Sequence, residues 1–249
     1  MKIKRIKIYP ICYFDTPVVK SSIYTPIFAR NNRFKNAAKF LSTKSNLLSN
    51  EKYNEMTAVY DIWKTYSKDL DFVGICHYRR ILSLSGKKPL SHKEIFNLIE
   101  NYNLILPKKR YYWPFNLKNH YIYSLKNYFN VHKNDIKVLK NIIIEQFPDY
   151  FKSFQTVMKR HSYHGGHIFL MQKDLFDSYC NFTFKICFEL EKKLANRIDQ
   201  TRFISALTEF TLDIWIDKHK LKYKEVYVYE TEKLFLIKKI LFVLKRIFK

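Results

Sequence analysis

Short apolar runs alternate with stretches of helically spaced apolar residues along most of this chain. The first run alternates charged and apolar side chains, as in Ile6, Lys7 and Ile8, which is typical of a strand with one buried face. From residue 54, apolar side chains recur every three or four positions, which is the spacing of one helix face. The pattern predicts strands over residues 3–13, 72–76, 102–106, 168–171 and 223–229, and helices over residues 54–64, 91–100, 134–146, 174–194 and 202–218.

Strands that alternate with helices predict an α/β domain with a mostly parallel central sheet flanked by helices. The chain of 249 residues can build one sizeable core. It carries no internal repeat and no linker rich in Pro and Gly that would separate a second large domain. We therefore predict one α/β domain over residues 1–230 and a separate terminal element over residues 231–249.

The charge of the chain is strongly positive, with 45 Lys and Arg against 22 Asp and Glu, a formal net charge of +23. Such a balance predicts a polyanionic partner: nucleic acid, an anionic membrane surface or a phosphate-bearing substrate. The 47% hydrophobic content excludes a wholly disordered chain.

The cysteines and the apolar runs predict the compartment. Cys12, Cys76, Cys180 and Cys187 have no Cys-x-x-Cys spacing, so we expect buried free thiols in a reducing environment. The N-terminus has no signal-peptide pattern, and no apolar run reaches 18 residues. These features predict a cytoplasmic protein, or one attached to a membrane from its cytoplasmic side.

The largest cluster of candidate functional residues directly follows the predicted strand over residues 72–76. It consists of His77, Tyr78, Arg79 and Arg80. Ligands of open α/β sheets bind outside the carboxyl ends of the strands. Guanidinium groups bind phosphate or carboxylate bidentately, so the motif predicts an anion site. The alternatives are a strand that leaves the core into a solvated basic loop, or an arginine paired with a carboxylate such as Glu55.

Three sequence blocks carry a resemblance to a known family. The first is Leu48 to Ala58, continuing to Tyr60, Trp63 and Lys64, and the second is Gly74 to Arg80. These resemble the bacterial capsular-polysaccharide and lipopolysaccharide glycosyltransferase-like proteins, a family long catalogued as a domain of unknown function. A more degenerate third block contains His167 to Gln172, then Phe176, Tyr179, Cys180, Arg202 and Glu209.

The resemblance implies a GT-A-like, Rossmann-like nucleotide-sugar-binding domain. Such a protein moves a sugar from a nucleotide-diphosphate sugar, with a UDP-sugar as the expected donor, onto a lipid-linked or oligosaccharide acceptor of a capsule, lipopolysaccharide or exopolysaccharide. No Asp-x-Asp pair follows the strand over residues 72–76. No cofactor is therefore firmly implied, and we expect metal-independent transfer, with Mg or Mn as the open alternative.

The resemblance also implies roles around the diphosphate. Arg79 and Arg80 with Tyr78 are the candidate phosphate-binding residues, because a departing diphosphate needs its developing charge stabilised. His77 is expected to assist them as a catalytic residue. The residues predicted to orient the donor or brace the arginine strand are Glu55 and Thr57.

An inverting reaction needs a general base that takes a proton from the acceptor hydroxyl. Glu209 is the leading candidate, because it matches the family's Glu in an otherwise apolar helix. The structural alternative is a helix carboxylate that pairs with Arg202 or faces water.

Candidate sugar-binding residues lie in two further segments. The histidines at 161, 164 and 167 are spaced by three, and we assign His167 to sugar or acceptor binding, with Arg202. A metal site is disfavoured, because the run spans a change from loop to strand. Trp113 follows two tyrosines and could stack on a sugar face or pack over the sheet edge.

The element over residues 231–249 has apolar residues at three-four spacing with interspersed lysines and arginine. A basic amphipathic helix of this kind lies in an anionic membrane interface. The alternatives are a helix docked on its own domain or on a second copy of the chain, as in a homodimer.

Two other classes of function stay open. The basic, aromatic-rich composition by itself favours a nucleic-acid-binding protein, although no RNA- or DNA-binding motif is present, and we predict no nucleic-acid partner. The family's Asn, Gly and Arg are replaced here by His167, Ser205 and Phe210. Those departures make a non-catalytic scaffold of glycan assembly the second alternative.

Overall fold

The computed structural model describes residues 4–13, 19, 21–29, 41–42, 52–112, 114–120, 122, 131–196 and 202–231. Trp113 and the amphipathic helix predicted over residues 231–249, apart from Thr231, lie outside the described residues.

The described strands form one large mixed sheet and a small ribbon. In the large sheet the order is β3-β2-β1-β4-β5-β10-β6-β9, with β9 also paired to β4; the ribbon consists of β7 and β8. The strands are β1 (Ile6–Cys12), β2 (Ile27–Phe28), β3 (Leu41–Ser42), β4 (Phe72–His77), β5 (Arg80–Ser83), β6 (Leu104–Pro107), β7 (Arg110–Tyr111), β8 (Ser162–Tyr163), β9 (Phe169–Gln172) and β10 (Lys224–Glu230).

The prediction of a mostly parallel sheet is wrong. Strands β1 to β4 pair in parallel where they meet, but β9 runs antiparallel to both β4 and β6, and β10 runs antiparallel to β5. Strand β4 is a continuous apolar run because both of its faces are buried. Such runs are typical of parallel sheets, yet the pattern reports burial and does not report strand direction.

Helices cover both faces of this sheet. On one face, Ile6, Ile8 and Phe72 pack with apolar residues of the helix His92–Asn101. On the other face, Tyr9, Ile11 and Val73 join the larger core formed with the remaining long helices. In the described ranges, no helix has both the length and the apolar character needed to cross a bilayer. The helices are α1 (Glu55–Asp61), continued by a π-helical turn (Ile62–Tyr66), α2 (His92–Asn101), α3 (Leu117–His120), α4 (Lys133–Gln146), a 3₁₀ turn (Pro148–Tyr150), α5 (Phe151–Lys159), α6 (Lys173–Lys193), α7 (Phe203–Thr208) and α8 (Thr211–His219).

The helix predicted over residues 202–218 is broken into α7 and α8 by Glu209 and Phe210. The hydroxyl of Thr208 donates to the carbonyl of Ile204 at 2.9 Å, and that of Thr211 donates to the carbonyl of Thr208 at 2.7 Å. Threonine hydroxyls that bond to nearby carbonyls compete with regular helix. Glu209 therefore lies in a turn between two short helices.

Gly74 lets β1 and β4 approach closely. It lies opposite Ile8 in the parallel register, and a Cβ atom at this position would lie 2.6 Å from Ile8 Cγ1. The side chain of Ile8 therefore occupies the space that any larger residue at position 74 would need. All four cysteines are buried and free, as predicted.

Candidate functional site

The predicted anion motif forms a tight hairpin at the carboxyl ends of two parallel strands. His77 is the last residue of β4, opposite Ile11 near the end of β1. Tyr78 and Arg79 make the turn, and Arg80 begins β5 and pairs with His77. The motif is therefore at the predicted edge of the sheet, but its last residue belongs to a returning strand that the sequence did not predict.

The side chains of the turn alternate between the interior and the surface. Tyr78 is 4% exposed and packs with Cys12 and Phe28. The Arg79 guanidinium lies over the Tyr78 ring, 5.0 Å from its centroid. Tyr78 therefore supports Arg79 from the interior, and its assignment to phosphate binding stays a prediction.

Three arginines act on His77. The pKa of His77 is lowered to about 3, mostly by burial and in addition by the positive charges of Arg79, Arg202 and Arg110. The backbone N–H of Arg79 donates to Nδ1 of His77 at 3.3 Å. His77 is therefore a neutral imidazole at neutral pH, with its proton on Nε2, at the centre of a cationic cluster.

Glu55 connects this cluster to α1. It is the first residue of α1, and its Oε2 accepts hydrogen bonds from the Tyr13 hydroxyl at 3.1 Å and from the Asn54 amide. The Tyr13 ring in turn lies 5.8 Å from the His77 ring. Thr57, the other residue predicted to orient the donor, is only 2% exposed and lies in the interior.

Glu209 lies in the same region and has a perturbed carboxyl group. Burial raises the pKa of Glu209, and the charge of Glu55 raises it further, against the opposing effects of His167, Tyr163 and Arg110. The Tyr163 hydroxyl donates to Glu209 Oε2 at 2.7 Å. The residue as a whole keeps partial exposure, whereas burial of its carboxyl group is the largest cause of the raised pKa.

Arg110 is the site residue that sequence reasoning missed most clearly. It lies in β7, which pairs with Tyr163 in β8. Burial lowers the pKa of Arg110, but Tyr112, Tyr163 and Glu209 outweigh it, and the net pKa is raised. Its position directly before Tyr111 and Tyr112 is not a distinguishing signal in the sequence.

His167 is brought to Glu209, whereas His164 has a structural role. His167 is 1% exposed, with Nδ1 3.3 Å from the Tyr179 hydroxyl. His164 places Nδ1 2.9 Å from an Asp213 oxygen and Nε2 3.0 Å from a Glu225 oxygen.

In the described part of the chain, no group of three or more His, Cys, Asp or Glu residues is arranged to hold a metal ion.

Unusual backbone conformations concentrate around this site. Among the described residues, four other than glycine have positive φ: Asn54 at 46°, His167 at 48°, Arg202 at 59° and Lys220 at 49°. Lys220 is an ordinary left-handed helix cap. Of the other three, Arg202 acts electrostatically on His77, His167 acts on Glu209, and Asn54 bonds to Glu55. Strained backbone of this kind tends to cluster at functional sites.

Gly166 supports Arg80, and a pair of glycine variants tests this contact. A Cβ at Gly166 would lie 2.9 Å from Arg80 Nη2, whereas at Gly86 the nearest atom would lie 3.7 Å away; φ is positive at both, 88° and 73°. We expect Gly166→Ala to weaken pyrophosphate binding about tenfold, as when one charged hydrogen bond is lost, while Gly86→Ala keeps the affinity. Calorimetric titration measures both; equal affinities would show that Arg80 does not depend on Gly166.

Comparisons with known proteins identify a matching family model and a solved structure with a similar fold. A family model described as "Domain of unknown function (DUF4422)" matches residues 7–220. The solved apo structure of the WbbM bifunctional glycosyltransferase superposes with a TM-score of 0.78 at 23% identity, over 92% of this chain. This chain spans 46% of that longer protein. No curated protein matches the sequence.

Proposed function

The chain belongs to the DUF4422 family, and from that membership and its fold we propose that it is a glycosyltransferase. The proposed reaction moves a hexose from a nucleotide-diphosphate sugar, a UDP-sugar above all, onto the hydroxyl of a surface-glycan acceptor. The similarity in fold to the WbbM bifunctional glycosyltransferase is consistent with this class of reaction.

One observation carries the proposal: three arginines act electrostatically on a buried neutral histidine, and one of them also acts on a carboxyl whose pKa is raised. The cations are Arg79, Arg110 and Arg202, and the carboxyl is Glu209. A diphosphate leaving group needs fixed positive charge where its own charge develops. The attacking hydroxyl needs a base whose pKa lies closer to neutrality than that of an ordinary carboxylate.

In the proposed mechanism, the arginines bind the diphosphate and Nε2–H of His77 donates to one of its oxygens. The acceptor hydroxyl oxygen forms a bond to the anomeric carbon as the bond from that carbon to the diphosphate oxygen breaks. The hydroxyl proton goes to the carboxylate of Glu209. Attack opposite to the leaving group inverts the configuration at the anomeric carbon.

The arginine cluster also supports the proposal that transfer proceeds without a metal. Guanidinium groups fixed by the fold can carry the charge-stabilising role that a divalent cation has in many phosphate sites.

The membrane-bound location on the cytoplasmic side and the homodimer rest on residues 231–249. They stay predictions from the sequence.

Thermal unfolding with a panel of nucleotide sugars tests the function. We expect a UDP-sugar to raise Tm, since a ligand at 100 times its Kd stabilises by about 2.7 kcal/mol, and expect the free sugar to have no effect. The stabilisation should persist in EDTA if the arginines suffice. An Arg79→Ala variant that gains as much as the wild type, or a wild type that gains from no nucleotide sugar, would contradict the proposal.

A further inference from the structure

Asn54 has a buried polar atom whose bonding the fold leaves incomplete. The residue is 9% exposed, and its Oδ1 is one of the buried side-chain atoms without a hydrogen-bond partner among the described residues. Asn54 occupies the N-cap position of α1, yet its side chain makes no capping hydrogen bond. An asparagine at this position ordinarily turns its oxygen onto the helix N–H groups; here it does not.

The neighbouring carboxylate fixes the orientation of this amide. Nδ2 of Asn54 donates to Oε2 of Glu55. The flipped amide would place its oxygen against a carboxylate oxygen, with no hydrogen between them. Oδ1 is therefore the end that points away from Glu55, and it is an acceptor without a donor.

The backbone of Asn54 adds a second cost. Its φ of 46° and ψ of −121° lie in a region that glycine adopts readily and that is strained for other residues. A buried carbonyl oxygen without a donor also keeps the full cost of its lost hydration. Two costs at one residue indicate that the side chain is retained for something other than stability.

Asn54 lies at the reaction centre. Its partner Glu55 accepts a hydrogen bond from the Tyr13 hydroxyl at 3.1 Å, and the Tyr13 ring lies 5.8 Å from the His77 ring. The charge of Glu55 also raises the pKa of Glu209, on which His167 acts from another loop, and His167 carries a second buried unpartnered atom, Nε2. One unpartnered atom therefore belongs to a residue bonded to Glu55 and the other to a residue that acts on Glu209, and a ligand rich in hydroxyl groups would satisfy both.

We propose that Oδ1 of Asn54 accepts a hydrogen bond from a hydroxyl group of the transferred sugar, and so contributes to sugar selection. The inference rests on the proposed glycosyltransferase function and extends it to a residue outside the predicted site. The bond forms in a place shielded from water, where a hydrogen bond is stronger than at the surface.

Asn54→Gly tests this assignment without endangering the fold, because glycine suits the backbone and removes the unsatisfied oxygen. We expect Tm to stay the same or rise, which a purely structural asparagine would not allow. Affinities for UDP and for a panel of UDP-hexoses are then measured by calorimetry. The variant should bind UDP like the wild type and bind the preferred UDP-hexose about threefold to tenfold more weakly, the loss expected for one neutral hydrogen bond.

A mono-deoxy series of that UDP-hexose identifies the hydroxyl. For one deoxy analogue, the affinity of the wild type should fall to the affinity that Asn54→Gly has for the complete UDP-hexose. The Asn54→Gly variant should bind that analogue and the complete UDP-hexose equally well. An unchanged preference for the UDP-hexose over UDP, or a crystal structure with only water on Oδ1 beside a bound sugar, would overturn the role of Asn54 and leave the glycosyltransferase function standing. A wild type that binds neither UDP nor any UDP-hexose would overturn both.

Discussion

Replacing Glu209 by glutamine is expected to lower the rate of sugar transfer by about 10²–10⁴-fold, the usual contribution of a general base. Glutamine has nearly the same shape, and its amide oxygen can still accept the hydrogen bond from Tyr163, which is 2.7 Å long in the wild type. It cannot take a proton from the acceptor. Donor affinity should therefore stay near the wild-type value while kcat falls.

The pH dependence gives Glu209→Gln a second signature. Since burial raises the pKa of Glu209, the base is charged only above a pH higher than that of an ordinary carboxyl, and kcat should rise through that range. The unfolded chain releases this proton at lower pH, so in the wild type this group makes folding stability fall as pH rises from the ordinary carboxyl pKa to the raised one. Glutamine does not titrate, so Glu209→Gln should lose both the rise of kcat with pH and this fall of stability with pH. Rate profiles and urea unfolding at several pH values measure the two effects.

Glu191 offers a matched control, because its carboxylate likewise accepts a tyrosine hydroxyl, that of Tyr53, at 2.7 Å. Glu191→Gln should keep its transfer rate. A Glu209→Gln enzyme that is as fast as the wild type would exclude Glu209 as the base and favour the non-catalytic scaffold. Equal losses in both variants would indicate a general effect of weakening a carboxylate–tyrosine contact.

Local features of the fold could be predicted from the sequence because short-range physics fixes them. The helix predicted over residues 91–100 begins at His92, directly after the capping box formed by Ser91 and Glu94. Strand β4 ends at His77 where the apolar run stops. The direction of β9 and the return of the chain through Arg80 depend on contacts between distant segments, which periodicity does not record.

In the candidate site, too, some residues could be predicted from the sequence and others depend on contacts between distant segments. Glu209 and the His77 motif could be proposed from residue type and resemblance. Arg110 could not, because a lone arginine beside two tyrosines carries no distinguishing pattern until β7 pairs with β8. Asn54 lay within the matching block but drew no prediction, since its significance is a missing hydrogen bond, which only a three-dimensional arrangement can reveal.

The second large effect is expected from Arg110→Ala, which should weaken UDP-sugar binding about tenfold to a hundredfold, the range for a lost charged hydrogen bond. Because Arg110 lowers the pKa of Glu209, its removal should also shift the rise of kcat to higher pH. The ion-paired Arg160, which bonds to Asp217, provides the control: Arg160→Ala removes the same charge without either effect.

His77 reports directly on whether Arg110 belongs to the cluster. Its pKa is about 3, with burial as the largest cause and Arg110 as one of three contributing charges, so Arg110→Ala should raise that pKa partway toward its ordinary value. Because the pKa of His77 is lower in the folded state than in the unfolded state, the free energy of unfolding decreases as pH falls from the unfolded-state pKa to the folded-state pKa. In Arg110→Ala the two pKa values should lie closer together, so this decrease should span a narrower pH range. NMR titration of the His77 ring measures the shift. An unmoved pKa together with unchanged donor affinity would remove Arg110 from the site and leave the diphosphate to Arg79, Arg80 and Arg202.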